Sequence, residues 1–191
     1  PDAEVRVADV IGDCDQLAQM VVDRYREVSQ RRIGPATGAA PQVYLSGLVL
    51  SGRKVLIAGA GTVAARRVQK LLEAGADLHL VAPQANDVIR ELAAQGRVQW
   101  HQRAVAESDL DAAWYALALT DSPSVNAEVA AWAEARRIFC VRGDQASGGS
   151  AWTPATGEVA GLRVGVVGDR NPHRTARART RAVEALAELA E

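Results

Sequence analysis

The chain has 191 residues, of which 48% are hydrophobic and 24% charged, and its formal net charge is −1. This is an ordinary globular balance with no whole-molecule field suited to nucleic acid or an anionic membrane surface. No apolar run approaches the ~20 residues of a membrane span, and the absence of a disulfide framework points to a reducing, cytoplasmic setting.

Residues 1–32 contain VADVIGDCDQLAQMVVDRYREVSQRR. Asp13, with Gln16 three residues on, fits a capping box. Leu17, Met20, Val21, Tyr25 and Val28 then share one helical face. The pattern predicts an amphipathic helix that needs a surface to pack on. Residues 33–42, IGPATGAAPQ, are rich in Gly, Pro and Ala and read as a linker. The start at Pro1 predicts a processed product, a cut chain or a piece of something longer.

From residue 43 the pattern alternates. KVLIAG (54–59) is an apolar strand, followed by a helix over 61–74 that ends at Gly75. DLHLVA (77–82) is a second strand, followed by a helix over 84–95. RVQWH (97–101) is a third strand and WYALALT (114–120) a fourth. A helix over roughly 124–136 and a fifth strand, RIFCVR (137–142), follow. Strands alternating with helices predict an α/β fold with a Rossmann-like, doubly wound parallel sheet over 43–143. Residues 144–191 break the alternation. A Gly-rich loop, GDQASGGS, leads to two short strands, AWTPAT and LRVGVV, with no helix between them, which predicts a hairpin at an interface. A basic helix over about 172–190 closes the chain.

Gly59-Ala60-Gly61-Thr62-Val63-Ala64 fits G-x-G-x-x-A between a strand and a helix. In such a turn the first glycine permits the tight bend. The second lets a pyrophosphate approach the backbone, and the small sixth residue lets helix and strand pack closely. The helix N-terminus supplies unpaired N–H groups for phosphate. The second strand lacks the usual terminal Asp or Glu for the ribose and ends Val81-Ala82-Pro83-Gln84. Gln84 or the backbone there takes that contact, and no Arg follows at once for a 2′-phosphate, so NAD is favoured over NADP.

Ligands of such sheets bind beyond the carboxyl ends of the strands. Thr120-Asp121 lies there, with a helix cap as the plain alternative for Asp121. Asp144 lies there too, either as turn chemistry or as a general base beside a nicotinamide. His101 reads as a surface residue. Arg170, Arg174, Arg177 and Arg181 are spaced 4, 3 and 4, and the last three share a helical face. Cations at a helix N-terminus oppose its dipole, so an anionic ligand or partner would offset a cost. The alternative is a solvated basic face. The three histidines (His79, His101, His173) and two cysteines (Cys14, Cys140) show no metal-ligand spacing.

Together, YLSGLVLSGRKVLIAGAGTVAARRVQKLLEAGADLHLVAP, WYALALTDSPSVN and ARRIFCVRGD resemble the precorrin-2 dehydrogenase module of siroheme synthases over about residues 43–188. The resemblance implies NAD-dependent oxidation of precorrin-2, a tetrapyrrole, to sirohydrochlorin. It implies Asp144 as the catalytic aspartate. It also implies cofactor contacts at Gly59, Gly61, Thr62, Val63, Pro83 and Gln84, and a homodimer through roughly 151–167. Ala60 within the turn and Thr120-Asp121 of the Thr-Asp-x-x-x-x-Asn motif are read as further cofactor contacts. The eight carboxylates of that substrate suit Arg170, Arg174 and Arg177. The family's Ser/Gly-rich loop reads Gly168-Asp169-Arg170-Asn171 here, so no serine role carries over. Some members also insert iron, and those continue into a further helical region, which leaves metal insertion open. Residues 1–30 resemble the closing helix of a small sirohydrochlorin chelatase, which implies a chelatase–dehydrogenase fusion. The competing function is a Rossmann module that senses NAD without turning it over.

Overall fold

The computed structural model describes residues 43–168 and 171–188. The helix expected from Asp13, the linker and Arg170 lie outside the described residues. Five strands form one parallel sheet: β1 (Lys54–Ala58), β2 (Asp77–Val81), β3 (Gln99–His101), β4 (Tyr115–Ala118) and β5 (Phe139–Arg142). Their order is β3-β2-β1-β4-β5. The helices are α1 (Thr62–Glu73), α2 (Asp87–Ala94) and α3 (Pro123–Ala135), with a 3-10 turn at Glu107–Leu110.

Both faces of the sheet are covered, which is why its strands are near-continuous apolar runs. Val55, Ile57, Leu78, Leu80 and Leu117 pack in one layer with Ala64 and Val68 of α1 and Ile89 of α2. Leu56, Ala58, Val81, Ala116 and Ala118 pack in the other with Val129 and Ala133 of α3. The order of strands reverses between β1 and β4, so the crevice at their carboxyl ends is the topological switch point.

Helix starts follow local chemistry. Asn86 caps α2, its side chain accepting from Ile89 N at 3.0 Å. The helix therefore begins at Asp87 instead of residue 84, and Pro83-Gln84-Ala85 stay in the connecting loop. Ser122 caps α3 with Pro123 at the first helical position, so Asp121 is not the cap. His101, expected at the surface, is half-buried and stacked on His79 with ring centroids 5.7 Å apart.

The late hairpin is present, but its first strand is displaced from the expected 151–156. Strands β6 (Ala155–Val159) and β7 (Leu162–Val166) pair antiparallel. Pro154 has no N–H to give a ladder. The residues before it are engaged elsewhere: Ala151 N donates to Cys140 O at 3.0 Å, and Trp152 Nε1 to Ala146 O at 2.9 Å. The two connecting residues, Ala160 and Gly161, have φ of 48° and 76°, the sign that a two-residue type I′ turn demands. Helix α4 (Pro172–Glu188) packs on the hairpin, with Val183 and Arg179 directly over Gly157.

Candidate functional site

A cleft of about 790 Å³ opens at the carboxyl ends of β1, β2 and β4. Its lining brings together Gly59, Ala60, Gly61, Pro83, Gln84, Thr120 and Asp121 from three separate parts of the sequence. Thr62 and Val63 are exposed at the start of α1 and are not among the lining residues.

The two glycines of the turn do different jobs. Gly59 has φ of +103°, and a Cβ there would lie 2.5 Å from Leu119 O. It is a close approach of β1 to the end of β4 that admits no side chain. At Gly61 a Cβ would meet nothing within 4 Å, so the space beside this backbone is open to a ligand. Gly61 is also the N-cap of α1 with no side-chain cap and no acidic residue in the first turn. The first N–H groups of this twelve-residue helix thus have no side-chain cap, and the cap residue Gly61 itself lines the cleft. Ala64 is fully buried, which seats the helix close to the sheet. Backbone, open space and helix terminus together fit a dinucleotide pyrophosphate.

The wall after β2 leaves Gln84 as the exposed polar side chain. Ala82 is already used, its N–H donating to His101 O at 3.2 Å and its carbonyl accepting from Trp100 Nε1 at 3.0 Å. Asn86 N donates to Ala60 O at 3.0 Å and ties this wall to the glycine turn. The far rim, Ala104 and Val105, is held by an ion pair. Arg103 Nη1 and Nη2 lie 2.7 and 2.5 Å from the two carboxylate oxygens of Asp109, and Ala106 N donates to the same carboxylate at 2.8 Å. The guanidinium holds the Asp109 carboxyl below the usual range.

Thr120 is placed by Asn126, the one buried polar residue of the described core. Asn126 Oδ1 accepts from Thr120 N at 3.0 Å and from its hydroxyl at 2.8 Å, while Nδ2 donates to Thr120 O at 2.9 Å. A loop that carries ligand contacts is thereby anchored to a helix interior. The signal was in the sequence: Asn126 shares a helical face with buried Val129 and Ala133, where a polar residue needs a partner.

Asp144 stands just past β5, at the same end of the sheet. Gly143 N donates to Ala118 O at 2.9 Å, continuing the ladder beside the cleft. The Asp144 carboxylate is gripped by Arg142, with Nη2–Oδ2 at 2.6 Å and Nε–Oδ1 at 3.2 Å. Arg142, chiefly, then the Asp144 backbone N–H and, least, Asn126 hold its carboxyl below the usual range. Arg142 was not singled out by sequence reasoning, because one Arg at a strand end has no pattern. Arg174 and Arg177 lie on exposed positions of α4, whose packing is against the hairpin rather than the cleft. Among the described residues, no group of three or more His, Cys, Asp or Glu could hold a metal ion, and no helix is long and apolar enough to cross a membrane.

Sheet order, glycine turn and cleft define a dinucleotide-binding Rossmann domain. Residues 47–155 match the family described as "Putative NAD(P)-binding", and the chain belongs to that family. It is 40% identical over 90 residues to Siroheme synthase 1 of Serratia proteamaculans, covering 47% of this chain and 19% of that protein. It is 37% identical over 81 residues to Precorrin-2 dehydrogenase of Bacillus subtilis, covering 42% of this chain and 50% of that protein. The chain thus spans half or less of these relatives. Its fold matches the solved structure titled SirC, precorrin-2 dehydrogenase, with a TM-score of 0.64 and 28% identity over 75% of this chain and 71% of that one.

Proposed function

We propose that the chain is an NAD-dependent dehydrogenase that oxidises precorrin-2 to sirohydrochlorin. The observation that carries this reading is the convergence of the glycine turn, Gln84 and the Asn126-anchored Thr120 on one cleft. Asp144 is not among its lining residues but follows β5 at the same end of the sheet. The kinship to proteins named precorrin-2 dehydrogenase and siroheme synthase supports the substrate. Bound in the cleft, the dinucleotide supplies a hydride acceptor. The chain's own residues do the rest. The α1 N-terminus and Gly61 hold the pyrophosphate, Gln84 the ribose, and Thr120 with Asp121 the nicotinamide half. NAD is favoured over NADP because Arg103, the cation beside the rim, is taken by Asp109. Asp144 is the catalytic carboxylate.

The proposal extends to a cytoplasmic homodimer joined through β6 and β7. Neither strand contains a buried residue in the single chain, which supports a partner surface there. Arg174 and Arg177, with Arg170, are the groups for substrate carboxylates.

The test is anaerobic. Protein is mixed with enzymatically made precorrin-2 and NAD, and sirohydrochlorin and NADH are followed together, with Asp144→Asn alongside. The expected result is equal amounts of both products and a kcat about 100-fold lower in the variant, with NAD affinity unchanged. Tight NAD binding without turnover would favour a sensing module instead.

A further inference from the structure

The loop GDQASGGS after β5 looks like a flexible turn in the sequence, but the structure builds it around one side chain. Arg142 is only 9% exposed, although arginine is rarely buried unless paired. Its guanidinium grips both oxygens of Asp144 and reaches Pro123 O at the start of α3, 3.4 Å away. A Cβ at Gly148 would lie 2.6 Å from Arg142 Nη1, and one at Gly149 would lie 2.5 Å from Cys140 O. The glycines are there because the loop closes onto the guanidinium and the strand. The result is a carboxylate fixed in place just past the end of β5, with both oxygens already bonded.

We propose that Arg142 is the positioning residue of Asp144, and that the clamped carboxylate serves the site as a standing anion, not as the acceptor of the departing proton. This rests on the dehydrogenase reading above. In that reaction a substrate C–H bond breaks and its electron pair leaves as hydride to the oxidised nicotinamide. The substrate, poorer by two electrons, is left cationic until it releases a proton to solvent. A preorganised negative charge stabilises that cation as it forms. A base would need an affinity for protons near neutrality, and a carboxylate whose two oxygens are both held in the charged form by a guanidinium lacks it. The groups facing Asp144 agree with this assignment. Arg142 comes from β5, the Asn126 amide from α3, and the Asp144 backbone N–H from the loop itself. The Cys140 thiol on β5, pushed up to about 11 by burial, stays neutral.

The experiment is a carbon-13 NMR titration of the Asp144 carboxyl in the full chain, assigned by its loss in Asp144→Asn, with kcat against pH measured in parallel. The wild-type carboxyl is expected to titrate below the exposed aspartates, and kcat to show no acid limb between about pH 5 and 8, as a carboxylate bonded in its charged form requires. Arg142→Met should raise the titration and lower kcat about tenfold, with NAD affinity by tryptophan fluorescence within about twofold. Arg142→Lys should recover part of both. If Arg142→Met fails to fold, Gly148→Ala, which pushes on the guanidinium from outside, should move the titration the same way. A wild-type titration between about pH 6 and 7 matching an acid limb of kcat would make Asp144 the base and overturn the proposal. An unchanged titration in both variants would overturn the role of Arg142. Absence of wild-type turnover would overturn the dehydrogenase reading and the anion role with it, while the titration still decides the clamp.

Discussion

The parallel sheet and the hairpin that follows it draw on the same kinds of residue and reach different states. Val55, Leu56, Ile57 and Ala58 of β1 are entirely buried, with helices on both sides. In β6, β7 and α4 no residue is buried, although Val159, Leu162, Val164, Val166 and Val183 are all apolar. One face of the hairpin carries Ala155, Gly157, Val159, Leu162, Val164 and Val166, and a single helix lies against it. The other face carries Thr156, Glu158 and Arg163. A two-layer unit of this size cannot close a core by itself. The sheet is therefore a self-supporting platform for the cleft, while the hairpin and α4 borrow stability from what they meet.

Substitutions can break or sharpen this contrast. The largest effect is expected at Gly59, inside the platform. Gly59→Val places a side chain against Leu119 O in a backbone region closed to it, at a cost of roughly 3 kcal/mol or more. Urea denaturation should register global loss of stability, and calorimetry the loss of NAD binding. If Gly59→Val folds and binds normally, the crevice between β1 and β4 is looser than described.

The next effect should be at the rim. Asp109→Ala removes two bonds to Arg103 and one to Ala106 N, and should cost about 2 kcal/mol. The pH dependence has a definite sign. Asp109 and Asp144 are both held below the ordinary carboxylate range, mainly by their arginine partners. Stability from a depressed carboxyl is complete above the unfolded value of ~3.9 and is lost as pH falls through the folded value. Wild type should therefore lose stability on acidification below about pH 4, with a shallower loss in Asp109→Asn.

In the hairpin the same kind of change should stay local. Gly157→Ala would bring a methyl within 2.5 Å of Val183 Cγ2 and 2.9 Å of Arg179 Cδ. An overpacking cost of about 2 kcal/mol is expected, appearing as faster hydrogen exchange in α4 and β6 with NAD affinity intact. A matching rise in exchange across β1 and β4 would mean that the two regions unfold together. The smallest effect is favourable. Ala160 sits at φ of 48°, and Ala160→Gly should stabilise the turn by about 1 kcal/mol in a thermal melt.

The alternation of apolar runs with helix-period segments determined the sheet, because a strand buried on both faces has no other way to satisfy its side chains. The glycine turn determined where a pyrophosphate would sit, because φ and free space are properties of Gly59 and Gly61 themselves. The hairpin was legible for the same reason, since two strands without an intervening helix pair antiparallel. Its register was not, because the bonds of Ala151 and Trp152 go to residues distant or displaced in sequence. Tertiary structure alone decided what Asn126, Arg103 and Arg142 do. Each is a polar group whose meaning depends on a partner brought to it by folding: Thr120 across a helix start, Asp109 across a loop, and Asp144 across a turn of glycines. A sequence records such residues one at a time, and the hydrogen bonds that set the chemistry of a carboxylate exist only once folding has brought its partner within reach.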